Sequence, residues 1–297
     1  MYKSHFGLRE LPFGITPDTT FFFACANYQE ALNTLLIATK NGEGFIKITG
    51  EVGVGKTLLC RKFMATLDKG FVTAYIPNPF LEPRTLMLAL ADELEVQQNK
   101  DVDQHTLLKS ITHRLLVLAR EGKRVVLCID EAQAMPLETL EALRLLTNLE
   151  TEKRKLLQIV MFGQPELDRK LQQEAVRQLN QRITFHYHLG QLTKDDMEYY
   201  LHHRLTVAGY TGSRMFNRGA EKALYAASRG VPRLINILAH KALMLAYAEG
   251  KSQITARHIR AAAQDTGAAQ KRRWAWAWAG GAALLVAGSG MAWAFLR

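Results

Sequence analysis

Cysteine is scarce in this chain: three in 297 residues, at 25, 60 and 128, widely spaced and with no C-x-x-C pair. That argues against a disulfide framework and against a cysteine-based metal site. Cys60 and Cys128 lie in apolar runs and read as reduced core residues. The N-terminus, "MYKSHFGLRELPFG", lacks the apolar run of a signal peptide, so the body is expected in the cytoplasm. No internal repeat is visible, and nothing in the main body has the composition of a disordered chain. Acidic residues are the minority charge, 28 against 38 basic, leaving a net charge of +10. Such a balance suits an anionic partner (nucleotide, nucleic acid or anionic lipid) or serves solubility alone.

What is present is an alternation of strand and helix. "FIKIT" (45–49), "FVTAYI" (71–76), "RVVLCIDEA" (124–132), "LLQIVMFG" (156–163) and "ITFHYHLG" (183–190) read as strands. Run 124–132 is a continuous apolar run ending in two carboxylates, as in a strand buried on both faces, and 156–163 reads as another buried strand. Segments 28–40, 58–68, 84–95, 104–120 and 137–149 have helical spacing. Strands alternating with helices imply a parallel sheet with right-handed crossovers. Past residue 190 only helical patterns remain, at 193–208, 217–228, 231–248 and 255–264. A small all-helical domain is therefore expected after the α/β domain.

Between the first strand and its helix stands "GEVGVGKTL", residues 50–58. Gly50, Gly55, Lys56 and Thr57 fit G-x-x-x-x-G-K-[ST]. Glycines let successive backbone N–H groups turn inward around a phosphate, and the helix start adds its positive dipole end. The whole loop (Gly50, Glu51, Val52, Gly53, Val54, Gly55, Lys56, Thr57 and Leu58) is the expected nucleotide cradle. Lys56 is expected to reach the β- and γ-phosphates and Thr57 to ligate Mg²⁺.

"VVLCIDEA" ends its strand on Asp130 and Glu131. Buried acids need a partner, and a metal ion supplies one. Asp130 reads as the second metal ligand, Glu131 as the group that polarises the attacking water; the alternative for Glu131 is a helix cap. Gln164, in "MFGQPEL", is placed to touch the γ-phosphate or the water, or is a turn residue before Pro165. In "AVRQLNQRITF", Arg182 and then Arg177 are candidates for a guanidinium offered to a neighbouring subunit's nucleotide, or for surface ion pairs. Arg233, in the first turn of the helix opened by "GVPRLIN", stands where the dipole disfavours a cation, which points to a nearby anion. His186 and His188 share a strand face without a third ligand at a recognisable spacing; they and His202 and His203 carry no assigned chemistry.

In their order, "GEVGVGKT", "VVLCIDEA", "MFGQPEL", "LNQRI" and "GVPRLIN" resemble an AAA+ ATPase. The opening "HFGLRELPFGITPDTTFFF" and "GQPEL" are similar to the ExeA/GspA-type secretion ATPases, and within them to those of mannose-sensitive haemagglutinin (MSHA) type IV pilus biogenesis. The resemblance spans about residues 1–265. It implies an α/β P-loop NTPase fold, with the acid strand separated from the loop strand and a helical lid. It further implies ATP and Mg²⁺, a ring-shaped homo-oligomer with arginines acting in trans, and residues near "LPFG" approaching the adenine. ExeA-type proteins continue into a periplasmic cell-wall-binding domain; with this sequence ending at Arg297, direct cell-wall binding is not expected.

The final stretch, 274–296, holds 23 residues without a charge. As a helix it spans roughly 35 Å, enough for a hydrocarbon core of about 30 Å. Trp274, Trp276 and Trp278 at one end and Trp293 near the other fit interfacial belts, and "KRR" (271–273) sets the body on the cytoplasmic side. The expected organisation is an AAA+ α/β domain at 1–190, a helical lid at 191–266, a basic linker at 267–273 and a single transmembrane helix at 274–296. The expected function is a bacterial inner-membrane ATPase acting with pilus or secretion-system membrane proteins. The alternatives are a DNA-associated AAA+ ATPase, disfavoured because no separate DNA-reading module is seen, and a nucleotide-gated scaffold with little turnover.

Overall fold

The computed structural model describes residues 2–97, 102–151 and 154–267. They form two compact units: one of residues 17–191, the other of residues up to 16 together with those from 192 onward.

The larger unit is a five-stranded sheet with helices on both faces. Its strands are β1 (Phe45–Thr49), β2 (Phe71–Ile76), β3 (Arg124–Ile129), β4 (Leu157–Gly163) and β5 (Phe185–His188). Their order is β2-β3-β4-β1-β5, and every pairing is parallel. β4 therefore stands between the loop strand β1 and the acid strand β3, as the resemblance implies. Every residue of β1 and β4 is buried; β4 reads as an apolar run broken by Gln158, while in β1 the buried Lys47 donates to Asp168 Oδ1 at 2.5 Å. On one face Ile76, Leu127, Ile129, Ile159 and Met161 pack in a single core with Leu86 and Leu90 of α3 (Pro83–Glu93), Ile111 and Leu115 of α4 (Gln104–Arg120), and Leu140 and Leu143 of α5 (Leu137–Leu146). The other face meets α1 (Ala26–Asn41) and α2 (Lys56–Thr66).

Local chemistry sets the ends of these helices. Asp103 caps α4 by accepting from His105 N at 2.9 Å and Thr106 N at 3.0 Å. Pro83 opens α3 with a pre-set φ. Gly42, in the left-handed region at φ 84°, closes α1. Cys60 on α2 and Cys128 on β3 are free and fully buried, and burial pushes the Cys60 thiol well up, so it stays protonated and unreactive. Two short helices between β4 and β5, α6 (Glu166–Leu171) and α7 (Arg177–Asn180), were not expected; at four to six residues they show too few turns for a periodicity.

The smaller unit holds α8 (Lys194–Val207), α9 (Arg218–Ser228), α10 (Pro232–Ala248) and α11 (Ala256–Gln264). A Thr193–Asp196 capping box starts α8. Leu201, Leu224, Ile235, Leu238, Ala239, Leu243 and Ile259 are buried between the helices. Residues up to 16, expected in the α/β domain, belong to this unit instead. Arg204 on α8, only 5% exposed, donates through Nε to Pro12 O, and through Nη2 to Gly14 O at 3.4 Å. Asn236 Nδ2 donates to Gly14 O at 3.1 Å, Tyr2 bonds His240 Nδ1 at 2.8 Å, and Phe13 meets Phe216 edge-on. The opening segment thus buries its aromatics and satisfies its carbonyls on the helical bundle.

Among the described residues no helix is long and apolar enough to cross a membrane. The expected linker (267–273) beyond Gly267 and the expected span (274–296) lie outside the described residues.

Candidate nucleotide-binding site

The strand–loop–helix context that the motif requires is present: β1 ends at Thr49, and α2 begins at Lys56. The loop between them has two left-handed glycines, Gly53 at φ 81° and Gly55 at φ 100°, a backbone that L side chains rarely adopt. Gly55 is the N-cap of α2 and supplies no side-chain cap, so the first-turn N–H groups depend on another acceptor. Gly50 is needed for space: a Cβ there lies 2.6 Å from Leu189 O. Its N–H donates to Gly163 O at 3.2 Å, which ties the loop to the end of β4. Tyr28 on α1, 5% exposed, donates its hydroxyl to Val54 O and braces the loop from beneath. No motif flags Tyr28, since it is brought in from another helix.

Lys56, 5% exposed, donates to Gly50 O at 2.8 Å and to Glu51 O at 3.0 Å. Its ammonium is bent over the loop it follows. Burial pulls its pKa down, and the carboxylates of Glu131 and Asp130 oppose that fall.

Thr57 Oγ1 donates to Asp130 Oδ2 at 2.5 Å, so both expected metal ligands meet, from α2 and from the end of β3. Asp130 is 2% exposed, and its Oδ1 accepts Glu131 N at 3.0 Å. Burial is the main cause that raises its pKa, against the hydroxyl of Thr57. A buried carboxylate with a hydroxyl beside it is an oxygen-donor pair that a hard cation such as Mg²⁺ compensates, so these residues fit the ion the motif implies.

Glu131 adopts φ 50° and ψ 36°, an uncommon conformation for a non-glycine residue. It precedes a 3-10 turn, Ala132–Ala134, but its side chain makes no cap bond, which removes the helix-cap alternative. Glu131 Oε2 instead accepts Gln164 Nε2 at 3.2 Å and Gln133 Nε2 at 2.6 Å. Gln164, at the end of β4, therefore does converge on Glu131. Gln133, overlooked in the sequence because nothing in the "DEAQ" stretch was tied to chemistry beyond its two acids, lies between them.

Within the larger unit, neither Arg182 nor Arg177 is seen to bond this cluster among the described residues. Arg182 Nη1 donates to Arg144 O at 3.2 Å, Asn148 Oδ1 at 2.5 Å and Thr147 Oγ1, so its cation rests on the C-terminal end of α5 within its own chain. Arg177 is exposed at the start of α7. Arg233 is exposed in the first turn of α10, on the helical unit. His186 Nε2 and His188 Nδ1 both face Thr49 Oγ1, at 3.0 and 3.3 Å.

A parallel sheet of this order, with a glycine-lysine loop on β1 and an acid pair at the end of β3, defines a P-loop NTPase of the AAA+ class, and residues 39–171 match the family model "AAA domain". Over 265 residues, 89% of the chain, it is 42% identical to General secretion pathway protein A of Aeromonas hydrophila, and in these residues it belongs to the ExeA/GspA type of AAA+ proteins. The chain spans about half of that relative's length, 48%. Solved structures agree in fold. Cdc6p from Pyrobaculum aerophilum superimposes with a TM-score of 0.66 at 17% identity, covering 84% of this chain and 70% of its own. The RuvB branch migration motor of Thermotoga maritima gives 0.55 at 16%, covering 82% and 70%.

Proposed function

We propose that this chain binds and hydrolyses ATP with Mg²⁺, and that it does so anchored to a bacterial inner membrane, in support of a secretion system or a type IV pilus. The observation that carries the catalytic part is the convergence of Lys56, Thr57, Asp130, Glu131 and Gln164 around one loop.

The first-turn N–H groups of α2 and the Lys56 ammonium hold the β- and γ-phosphates. Thr57 and Asp130 hold the metal. Mg²⁺ bound there neutralises charge on the phosphate oxygens. Glu131 orients the water and takes its proton as the water oxygen bonds to the γ-phosphorus and the bond to the bridging oxygen breaks. Gln164, bonded to the same carboxylate, steadies that water. Arg177, which is exposed and is offered from a neighbouring subunit of a homo-oligomeric ring, supplies positive charge to the transition state.

The secretory assignment is supported by the identity to General secretion pathway protein A, and the anchor by the uncharged run 274–296 behind "KRR". The pilus version rests on the resemblance to the MSHA biogenesis protein MshM. The test is the ATPase rate per subunit against protein concentration, with the full chain in nanodiscs and Lys56→Ala as the blank. A rate that rises with concentration supports hydrolysis completed between subunits. A rate at the blank at every concentration refutes autonomous hydrolysis and leaves the nucleotide-gated scaffold.

A further inference from the structure

Gln133 makes more contacts than a turn residue needs. Its Nε2 donates to Glu131 Oε2 at 2.6 Å, and its Oε1 accepts the backbone N–H of Gln164 at 3.0 Å. Gln164 Nε2 returns to the same Glu131 oxygen at 3.2 Å, which closes a three-residue ring. The ring has one sense. A carboxylate can only accept and a backbone N–H can only donate, so the Gln133 amide has a single orientation that satisfies both. The main chain of Gln133 is fixed as well: Lys170 on α6 donates to Gln133 O at 2.6 Å and to Met135 O at 2.7 Å. The left-handed Glu131 folds the turn back so that residues 131 and 133 face each other.

Among the described residues no donor to Glu131 Oε1 is seen, whereas Oε2 accepts both amides. We propose that Gln133 is a positioning residue: it fixes the Glu131 carboxylate through Oε2 and couples that orientation to the end of β4 through Gln164 N–H. The inference rests on the hydrolytic reading above. A displacement of Gln164 or of α6 then reaches the catalytic carboxylate directly, with no change in how the phosphates are held.

Two substitutions separate the two arms. Gln133→Met removes donor and acceptor at similar volume. Gln133→Glu keeps the acceptor for Gln164 N–H but sets a second carboxyl group against Glu131. The full chain in nanodiscs is assayed for kcat, KM, melting temperature and hydrogen exchange of the Gln164 amide. Both variants lose kcat roughly 10- to 100-fold, the size of one charge-assisted hydrogen bond, with KM within about twofold of wild type. Exchange at Gln164 quickens in the Met variant and not in the Glu variant. A kcat within about twofold of wild type in both variants overturns the proposal, even where the melting temperature falls, because packing alone then explains Gln133. Should the wild type bind Mg-ATP without turnover, hydrolysis itself is refuted and the exchange decides the coupling: selective quickening in the Met variant supports it, and equal rates in all three overturn it.

Discussion

The sharpest test of the loop geometry is Gly50→Ala. The new Cβ falls 2.6 Å from Leu189 O and 3.0 Å from Val54 Cγ2. Leu189 is poorly able to retreat, because its own N–H donates to Thr49 O at 2.7 Å at the end of β1. Gly50 must therefore move by several tenths of an ångström. It is held by its N–H on Gly163 O at 3.2 Å and by Lys56 Nζ on its carbonyl at 2.8 Å. Losing the neutral bond costs about 1 kcal/mol, and losing the charge-assisted one about 1.5–3 kcal/mol. Those losses lower the stability of the loop, and at 1.4 kcal/mol per factor of ten nucleotide affinity falls roughly 10- to 150-fold for each displaced loop N–H that no longer reaches a phosphate. The assay is a fluorescent-nucleotide titration of the full chain with Mg²⁺, alongside a thermal melt. Gly14→Ala is the control, since nothing lies within 4 Å of its Cβ position. A Gly50→Ala protein with wild-type affinity and melting temperature refutes the claim that this glycine is required by the close approach of Leu189.

Arg204→Ala leaves Pro12 O without its guanidinium donor and strips one of two donors from Gly14 O, along with a cation–π contact to Tyr200. The expected destabilisation is about 2–4 kcal/mol, read by urea unfolding, with faster proteolysis among residues 2–16. Glu249, bonded by Lys251, His258 and Arg257, has its pKa lowered from 4.5 to about 2. A depressed carboxylate stabilises the fold fully above its unfolded value, and the contribution is lost as pH falls through the folded one. Melting temperature is therefore expected to drop between pH 4.5 and about 2, more weakly in high salt because the group is exposed, and Glu249→Gln should flatten that part of the profile. An unchanged slope in that variant contradicts the assignment.

Much of the molecule was legible because its signals are local. The alternation of "FIKIT", "RVVLCI" and "LLQIVMFG" with amphipathic helices specifies a buried parallel sheet, and the cradle of 50–58 needs only glycines, a lysine and a threonine between a strand and a helix. Asp130 could be singled out as a candidate metal ligand from its place at the end of an apolar run, and its bond with Thr57 brings the two candidates together. Tertiary structure alone decided the rest, wherever one partner is a backbone group or a residue far along the chain. That the opening segment belongs with the helices depends on Arg204 reaching the carbonyls of Pro12 and Gly14, some 190 residues away, and a carbonyl has no sequence signature. That Arg182 lies on the end of α5 rather than outward depends on Asn148 and Thr147 being brought beneath it. Tyr28 and Gln133 became visible only when α1 was laid under the loop and β4 was inserted between β1 and β3. The sequence by itself determined the elements and the chemistry of the phosphate loop, through local periodicity and residue type. Which side chains meet the Glu131 carboxylate was decided by packing, because hydrogen bonds are selected by distance in space and not along the chain.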